Sequence, residues 1–506
     1  MNKLTRMRTR SGERLTKGLS DEVLAEFLAN SPDLLVAIDD AFQVWETLDG
    51  QSTYEKPEAH LIEDACRGWC IFYAKAYRTP YIPLAAKGSW VVTLHGAVLN
   101  DSGGYGMLGF GHSPDNVIDT MAHKHVMANI MTPSLSHISF QQAIRKEIGQ
   151  TRSGGCPFDQ FLLMNSGSEA NSVVDRILDV HAGHLKSSRP FRRALTVSLM
   201  GSFHGRTFKP AVWTHSSTDN YLKHRCDSIN AAKADTLKLV PPNDAHALER
   251  VFAEARAAGD FVELVVMEAV MGEGNPGERI TPEFYSCARR LTLESGGFLL
   301  VDSVQAGFRC TGYFSVVDFP GFSALPAPDF ETWSKAVNAG QYPVSVVGMT
   351  ARGAEWHRAG IYGNTMTGNP RACEIAAVVL NSFNPQLRKN IVQVGEYAVS
   401  KFKALQLQFP GSITAVTGAG LLYAVHLKKD AFPVTEDKPG QPAAERWMRM
   451  NGIGVIHGGE NALRFTPHFR FTKREVDLQV DTLKRYLALY AGETPLAVSV
   501  VKSVHG

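Results

Sequence analysis

No stretch of this 506-residue chain reaches the run of about 18 apolar residues that crosses a bilayer, so no membrane-spanning helix is expected. The basic opening MNKLTRMRTRSGERLTKG lacks the apolar run of a secretory leader, although its charge leaves organelle targeting open. It reads as a solvated, mobile arm. Charge excess is nearly absent elsewhere, and a formal net charge of +2 leaves no footprint for nucleic acid. The seven cysteines are scattered and odd in number. Cys66 and Cys70 form a C-x3-C pair with no second ligand pair at a suitable distance. Reduced thiols in a cytoplasmic protein are the expectation. Also missing are an HExxH motif, a GxGxxG fingerprint and a GxxxxGK[ST] loop, so zinc-protease, dinucleotide and P-loop readings have little support. Repeats and low-complexity tracts are absent.

What is present fills more than one core, and the length predicts two or three domains. Near the N-terminus, SDEVLAEFLANSPDLLVAIDDAFQVWETL and AHLIEDACRGWCIFYAKAY have helix-compatible spacing. SWVVTLHGAVLNDSGGYGMLGFGHSPDNV predicts short strands and glycine turns, then a helix starting near Ser113-Pro114. From about 160 to 350 the chain repeats strand, turn and helix, with strands at FLLM, ALTVSLM, VELVVMEAV, GGFLLVDS and VSVVGMT. Several of these runs are apolar throughout, which favours an α/β sheet covered on both faces. RACEIAAVVLNSF predicts a helix after Asn369-Pro370. SITAVTGAGLLYAVHL and GIGVIHGGENALRFTPHF have strand character, and Thr472 with Glu475 fits a capping box opening a C-terminal helix.

The run LLVDSVQAGFRCTG ends on a carboxylate, Asp302. A buried Asp is rare unless it is paired. Lys335 follows the strand-like DFETWS, and that edge is where open α/β sheets bind ligands. A lysine there is either a surface residue or a nucleophile toward an aldehyde. In FLLMNSGSEAN, residues Ser166, Gly167 and Ser168 open a helix after a strand, either as a phosphate seat or as a plain N-cap turn. GSFHGRT places Phe203, His204 and Arg206 after another strand: a ring to cover a flat ligand and a guanidinium to grip a carboxylate, or a core Phe and a surface Arg. Glu273 and Arg464 are either surface charges or partners across a cleft. Anion seat, aromatic ring, strand-end Asp and later Lys together satisfy pyridoxal phosphate, whose ring nitrogen needs an aspartate and whose aldehyde needs a lysine.

These blocks, with MEAVMGEG, SKAVNAG, NTMTGNPRACEIA and LRFTPHF in order, resemble the class III aminotransferases of the pyridoxal-phosphate fold type I group, the ornithine, 4-aminobutyrate and lysine ω-aminotransferases. The resemblance spans roughly 80–490. It implies a large domain over 126–385 with a mostly parallel seven-stranded sheet covered by helices. It implies a smaller α/β domain from 81–125 and 386–495; outside it, a helical extension over 1–80 and a tail over 496–506 are expected. By the same resemblance, Gly167 and Ser168 hold the cofactor phosphate, Phe203 stacks on the ring, and His204 lies in the cofactor set. Asp302 pairs with the ring nitrogen, Gln305 approaches the ring hydroxyl, and Lys335 carries the cofactor. Thr365 reaches the phosphate of a neighbouring subunit, which implies a homodimer with shared active sites. Tyr105 and Arg206 are implied as substrate-carboxylate contacts, with Glu273 and Arg464 as a switch pair.

The chain departs from the pattern in SWVVTLHGAVLND, where the family's common aspartate-glycine and tyrosine-leucine-aspartate phrase is degraded, in roughly its first 80 residues, which have no clear counterpart, and in two further motifs. The usual Asp-Glu-Val-Gln-Thr-Gly is here Asp302-Ser303-Val304-Gln305-Ala306-Gly307, and the usual Glu-Pro-Ile-Gln-Gly-Glu is Glu268-Ala269-Val270-Met271-Gly272-Glu273. The expected reaction is ping-pong transfer of an amino group from an amino acid or ω-amine to a 2-oxo acid, 2-oxoglutarate above all. Racemisation, aminomutation or decarboxylation with the same cofactor remains the alternative at this point.

Overall fold

The computed structural model describes residues 1–48, 54–74 and 77–491. It divides into two compact units, one of Gly106–Val392 with Ala419–Leu422, the other of Met1–Tyr105, Gln393–Gly418 and Tyr423–Gly506. The expected tail over 496–506 lies outside the described residues, as do positions 75 and 76 of the second N-terminal helical segment.

The first unit is built on a seven-stranded sheet. In spatial order its strands are Gln160–Met164, Ser345–Met349, Phe330–Trp333, Phe298–Asp302, Phe261–Met267, Ala194–Leu199 and Leu237–Val240. Ser345–Met349 runs antiparallel to both neighbours, and the remaining pairs are parallel. The strand FLLVD is buried at all five positions, as a sheet covered on both faces requires. Ala170, Val173, Val174, Ile177 and Leu178 of the Gly167–Ser188 helix pack into one core with Leu264, Val266, Leu300 and Phe330 from the strands. The Gly167–Ser188 helix starts where it does because Ser166 and Glu169 form a capping box: Ser166 Oγ accepts from the Glu169 N–H at 3.3 Å, and Glu169 Oε2 accepts from the Ser166 N–H at 3.1 Å. The Pro282–Ser295 helix opens on a proline behind the Thr281 cap and ends at Gly296, whose φ of 86° belongs to the left-handed region.

The second unit carries two four-stranded sheets. Its N-terminal sheet joins Pro83–Lys87, Trp90–Thr93 and Val98–Asp101 to the late strand Ile453–Gly454. Thr472 and Glu475 cap the Lys473–Tyr490 helix as the sequence predicts. Glu475 also accepts from Asn100 Nδ2 at 3.0 Å, so one residue ties the C-terminal helix to the early sheet.

Two expectations are corrected. The basic opening is not a solvated arm: Asn2–Arg10 is a helix, with Leu4 and Met7 fully buried. The Leu4-x-x-Met7 spacing gives a short apolar stripe toward the Pro32–Thr47 helix. The basic residues find counterparts there, Lys3 with Asp39 at 2.8 Å and Arg6 with Glu46 at 3.0 Å. The guanidinium carbons of Arg6 and Arg10 lie 5.8 and 5.7 Å from the Trp45 ring centroid. The second correction concerns AHLIEDACRGWCIFYAKAY, where among the described residues the α-helix covers Glu58–Cys66 and no more. Gly68, at φ 80°, follows the helix end, and Trp69 and Phe72 are exposed.

Candidate active site

Asp302 sits at the end of its strand and is 4% exposed. Its Oδ2 accepts from Asn171 Nδ2 at 2.8 Å and faces His204 Nδ1 at 3.0 Å, while Oδ1 accepts from the Val304 N–H at 3.1 Å. Asn171 is itself fixed, donating to the His204 carbonyl at 2.8 Å and accepting from Thr332 Oγ1 at 2.9 Å. Three elements therefore aim one carboxylate, and no lysine or arginine lies within ion-pair distance of it among the described residues. The strand reaches this anion because its neighbours end at the same sheet edge, bringing helix start, turn and strand together.

Lys335 follows the next strand and adopts a φ of 36°, a conformation non-glycine residues seldom take and one found at sites where a side chain must be aimed. Its Nζ donates to Gln305 Oε1 at 2.5 Å. Gln305 Nε2 is buried with no hydrogen-bond partner among the described residues, and so is His204 Nε2. Behind this turn Glu268, 3% exposed, accepts from the N–H groups of Phe203 at 3.0 Å and Gly272 at 2.9 Å. Burial, and then the charge of Asp302, pushes its carboxyl up to about 8.

The seat at the helix start has a tight floor. A Cβ on Gly167 would come within 2.8 Å of Val304 Cγ2, and one on Gly205, at φ 120°, within 2.3 Å of Ser168 Oγ. As the first residues of their helix, Gly167 and Ser168 point N–H groups outward without intrahelical acceptors. Ser168 Oγ accepts from the Arg206 N–H at 3.3 Å. The Arg206 guanidinium lies 4.8 Å from the Phe203 ring centroid and 3.7 Å from Glu273 Oε1. So one unit brings together Gly167, Ser168, Phe203, His204, Arg206, Glu273, Asp302, Gln305 and Lys335. Thr365 is in the same unit and exposed. Tyr105 and Arg464 belong to the other unit, and the Tyr105 side chain lies outside the described residues. Arg464 is 5% exposed and lies on the Ala462–Phe465 strand.

The family model "Aminotransferase class-III" matches residues 72–487. The chain belongs to the class-III aminotransferase family. Among curated relatives, a probable mitochondrial acetylornithine aminotransferase of Dictyostelium discoideum is 27% identical over 410 residues, 79% of this chain and 82% of that protein. The acetylornithine aminotransferase of Archaeoglobus fulgidus is 28% identical over 405 residues, 78% of this chain and 93% of its own. Among solved structures, the ornithine aminotransferase of Toxoplasma gondii superposes with a TM-score of 0.73 at 21% identity, covering 88% of this chain and 99% of that one, and shows the same fold. As a class-III aminotransferase the chain is a pyridoxal-phosphate enzyme, and amino transfer stands over the racemase, aminomutase or decarboxylase alternative.

The residues present fit that cofactor. A buried carboxylate without a lysine or arginine partner among the described residues suits a protonated ring nitrogen, and the buried Gln305 Nε2, which has no partner among the described residues, suits a ring hydroxyl. Sequence reasoning missed Asn171, Thr332 and Glu268 as parts of the site. Asn171 closes the quoted MNSGSEAN block, and Glu268 ends VELVVME, an apolar run stopped by an acid just as at Asp302. That shared signal was available. Thr332 lies inside a strand and has no local signature.

Proposed function

We propose that this aminotransferase takes its amino group from an ornithine- or acetylornithine-like donor, passes it to 2-oxoglutarate, and works as a homodimer. The observation that carries the reading is the buried Asp302 carboxylate, without a lysine or arginine partner among the described residues and one strand away from the Lys335 amine. Bound pyridoxal phosphate supplies an electron sink for the bond electrons at the donor carbon. Asp302 keeps the ring nitrogen protonated, and His204 and Asn171 hold Asp302 in register. Lys335 Nζ would hold the cofactor by its aldehyde carbon and, when free, would take the proton from the donor carbon as general base and give it up, as general acid, at that former aldehyde carbon. Gln305 orients that amine. Phe203 covers the ring, and Gly167 and Ser168 receive the phosphate at the positive end of their helix.

Arg206 takes the substrate's α-carboxylate by a forked pair of hydrogen bonds, with Tyr105 as a second contact. Its proximity to Glu273 supports a guanidinium that changes partner as substrate enters. By the family resemblance, Arg464 takes the distal carboxylate of the 2-oxo acid and Glu273 belongs to the substrate set. Thr365 reaches the phosphate held by a second subunit. Supporting the dimer, Val126, Met131 and Leu135 are 85, 82 and 81% exposed, and Met366 beside Thr365 is 52% exposed. No described helix is long and apolar enough to cross a membrane, and seven free cysteines support the reducing cytoplasm.

A half-reaction screen tests the reading. Ornithine, N-acetylornithine, lysine and 4-aminobutyrate are added singly to the loaded enzyme, and loss of the aldehyde absorbance is followed. Return of that absorbance on adding 2-oxoglutarate is expected. Turnover of a donor with no oxo acid present would sink net transfer, and lack of response to both ornithine derivatives would sink the donor class.

A further inference from the structure

Glu331 lies in the middle of the strand Phe330–Trp333, fully buried, two residues after Asp329 and four before Lys335. Among the described residues its carboxylate meets only neutral donors. Oε1 accepts from Ser303 Oγ at 2.5 Å and from the Val316 N–H at 2.8 Å, and Oε2 accepts from Ser315 Oγ at 2.5 Å. Burial pushes its carboxyl up to about 8. An acid buried without a cation costs stability compared with an apolar residue of similar size, so folding alone does not account for it.

The placement supplies an account. Successive side chains of a strand point to opposite faces. Thr332 reaches Asn171, which holds Asp302, while Glu331 on the other face reaches Ser303, the next residue after Asp302. The backbone adds a third tie, the Ser303 N–H donating to the Thr332 carbonyl at 2.9 Å. The strand that delivers Lys335 therefore grips the Asp302 turn from both faces. Gln305 rides on that turn and meets the Lys335 amine.

We propose that Glu331 is a positioning residue: through Ser303 and the Ser315-Val316 segment it locks the turn carrying Asp302 and Gln305 against the strand carrying Lys335. It touches none of the reacting atoms. The inference rests on the roles assigned above to Asp302, Gln305 and Lys335. Ser303, where the resembling family carries Glu, becomes the donor that a neighbouring-strand acid requires.

The test uses the full-length chain, with and without pyridoxal phosphate, as wild type, Glu331→Gln and Ser303→Ala. In the cofactor-free protein, the pH dependence of Lys335 reductive methylation is mapped by mass spectrometry, and amide exchange is followed across 302–307. The Gln305 oxygen favours the protonated amine, so displacing it lowers the Lys335 midpoint; about 0.5–1 pH unit is expected for Glu331→Gln and less for Ser303→Ala. Exchange in the turn should rise at least several-fold, with strands remote from it unchanged. In the loaded enzyme kcat should fall about tenfold with KM held within about twofold, the pattern of lost orientation and not lost binding.

A wild-type Lys335 midpoint and wild-type turn exchange in folded Glu331→Gln would overturn the proposal. Should that variant fail to fold, Ser303→Ala decides alone, and no shift in its midpoint or exchange would overturn it. Borohydride reduction of the loaded wild type separates the two levels. An adduct mapped to a residue other than Lys335 refutes the assigned site, whereas an adduct on Lys335 with unmoved variants refutes only the role of Glu331.

Discussion

Two buried aspartates stand at opposite ends of neighbouring strands and have opposite surroundings. Asp329 precedes the Phe330–Trp333 strand and is fully buried, with Arg289 at 2.7 Å, Arg352 at 2.8 Å and the Leu299 N–H at 2.8 Å. Asp302 ends the adjacent strand with an amide, a histidine and a backbone N–H around it. One carboxylate has its charge neutralised within the fold. The other has no lysine or arginine beside it among the described residues, the setting in which the proposed cofactor nitrogen would meet it. In a parallel sheet the C-terminal edge opens onto loops that differ between enzymes, while the opposite edge is closed by helices, so a charge at each end serves a different purpose.

The comparison is sharpened most by Lys335→Ala, which should remove the borohydride-trapped adduct and about three orders of magnitude or more of turnover while the unfolding midpoint stays put. Next come the aspartates themselves. Asp302→Asn should keep the fold and slow the half-reaction about a hundredfold or more. Asp329→Asn leaves two guanidiniums against a neutral amide and should cost about 3–5 kcal/mol in denaturant unfolding, with near-normal kcat for the folded fraction. If Asp302→Asn loses stability and Asp329→Asn loses turnover, the contrast is wrong.

A smaller effect concerns Glu268, whose carboxyl is pushed up to about 8 by burial and by Asp302. A carboxyl raised above its unfolded value binds more protons in the folded state. Its contribution is complete below the unfolded value, near 4.5, and is lost as pH rises through 8. Glu268→Gln should therefore gain on wild type between pH 5 and 8.5, by about a few °C in melting midpoint. A parallel pH dependence for the two proteins would show that Glu268 ionises normally. The smallest change is expected for Arg6→Ala, where an ion pair about half exposed on both sides and an aromatic contact are lost together. About 0.5–1 kcal/mol is expected by urea unfolding, most of it from the ring contact, since a solvent-exposed pair contributes little.

Much of this was legible along the chain because the signals are local. The five quoted strand runs between 160 and 350 all form, since runs apolar throughout have few alternatives in a covered sheet. The Thr472–Glu475 box was readable because both partners lie within one turn. The opening helix escaped because a two-residue apolar stripe is too short to stand out among basic residues, and its partners lie some 30 to 40 positions away. Leu237–Val240, an edge strand of four residues with a lysine in it, gave no distinct pattern.

By itself, the sequence determined the class of architecture, the order of the motifs and the chemistry each residue type can perform, because these depend on near neighbours and on the side chains themselves. Only the tertiary structure decided which buried acid is paired with arginines and which is not. Asn171 bonds Asp302 across 131 positions, Thr332 bonds Asn171 across 161 and Glu331 bonds Ser303 across 28, and nothing local encodes such a meeting. A charge buried in a fold acquires its meaning from the groups that folding places around it, and hydrogen bonds at that sequence separation exist only once the sheet has formed.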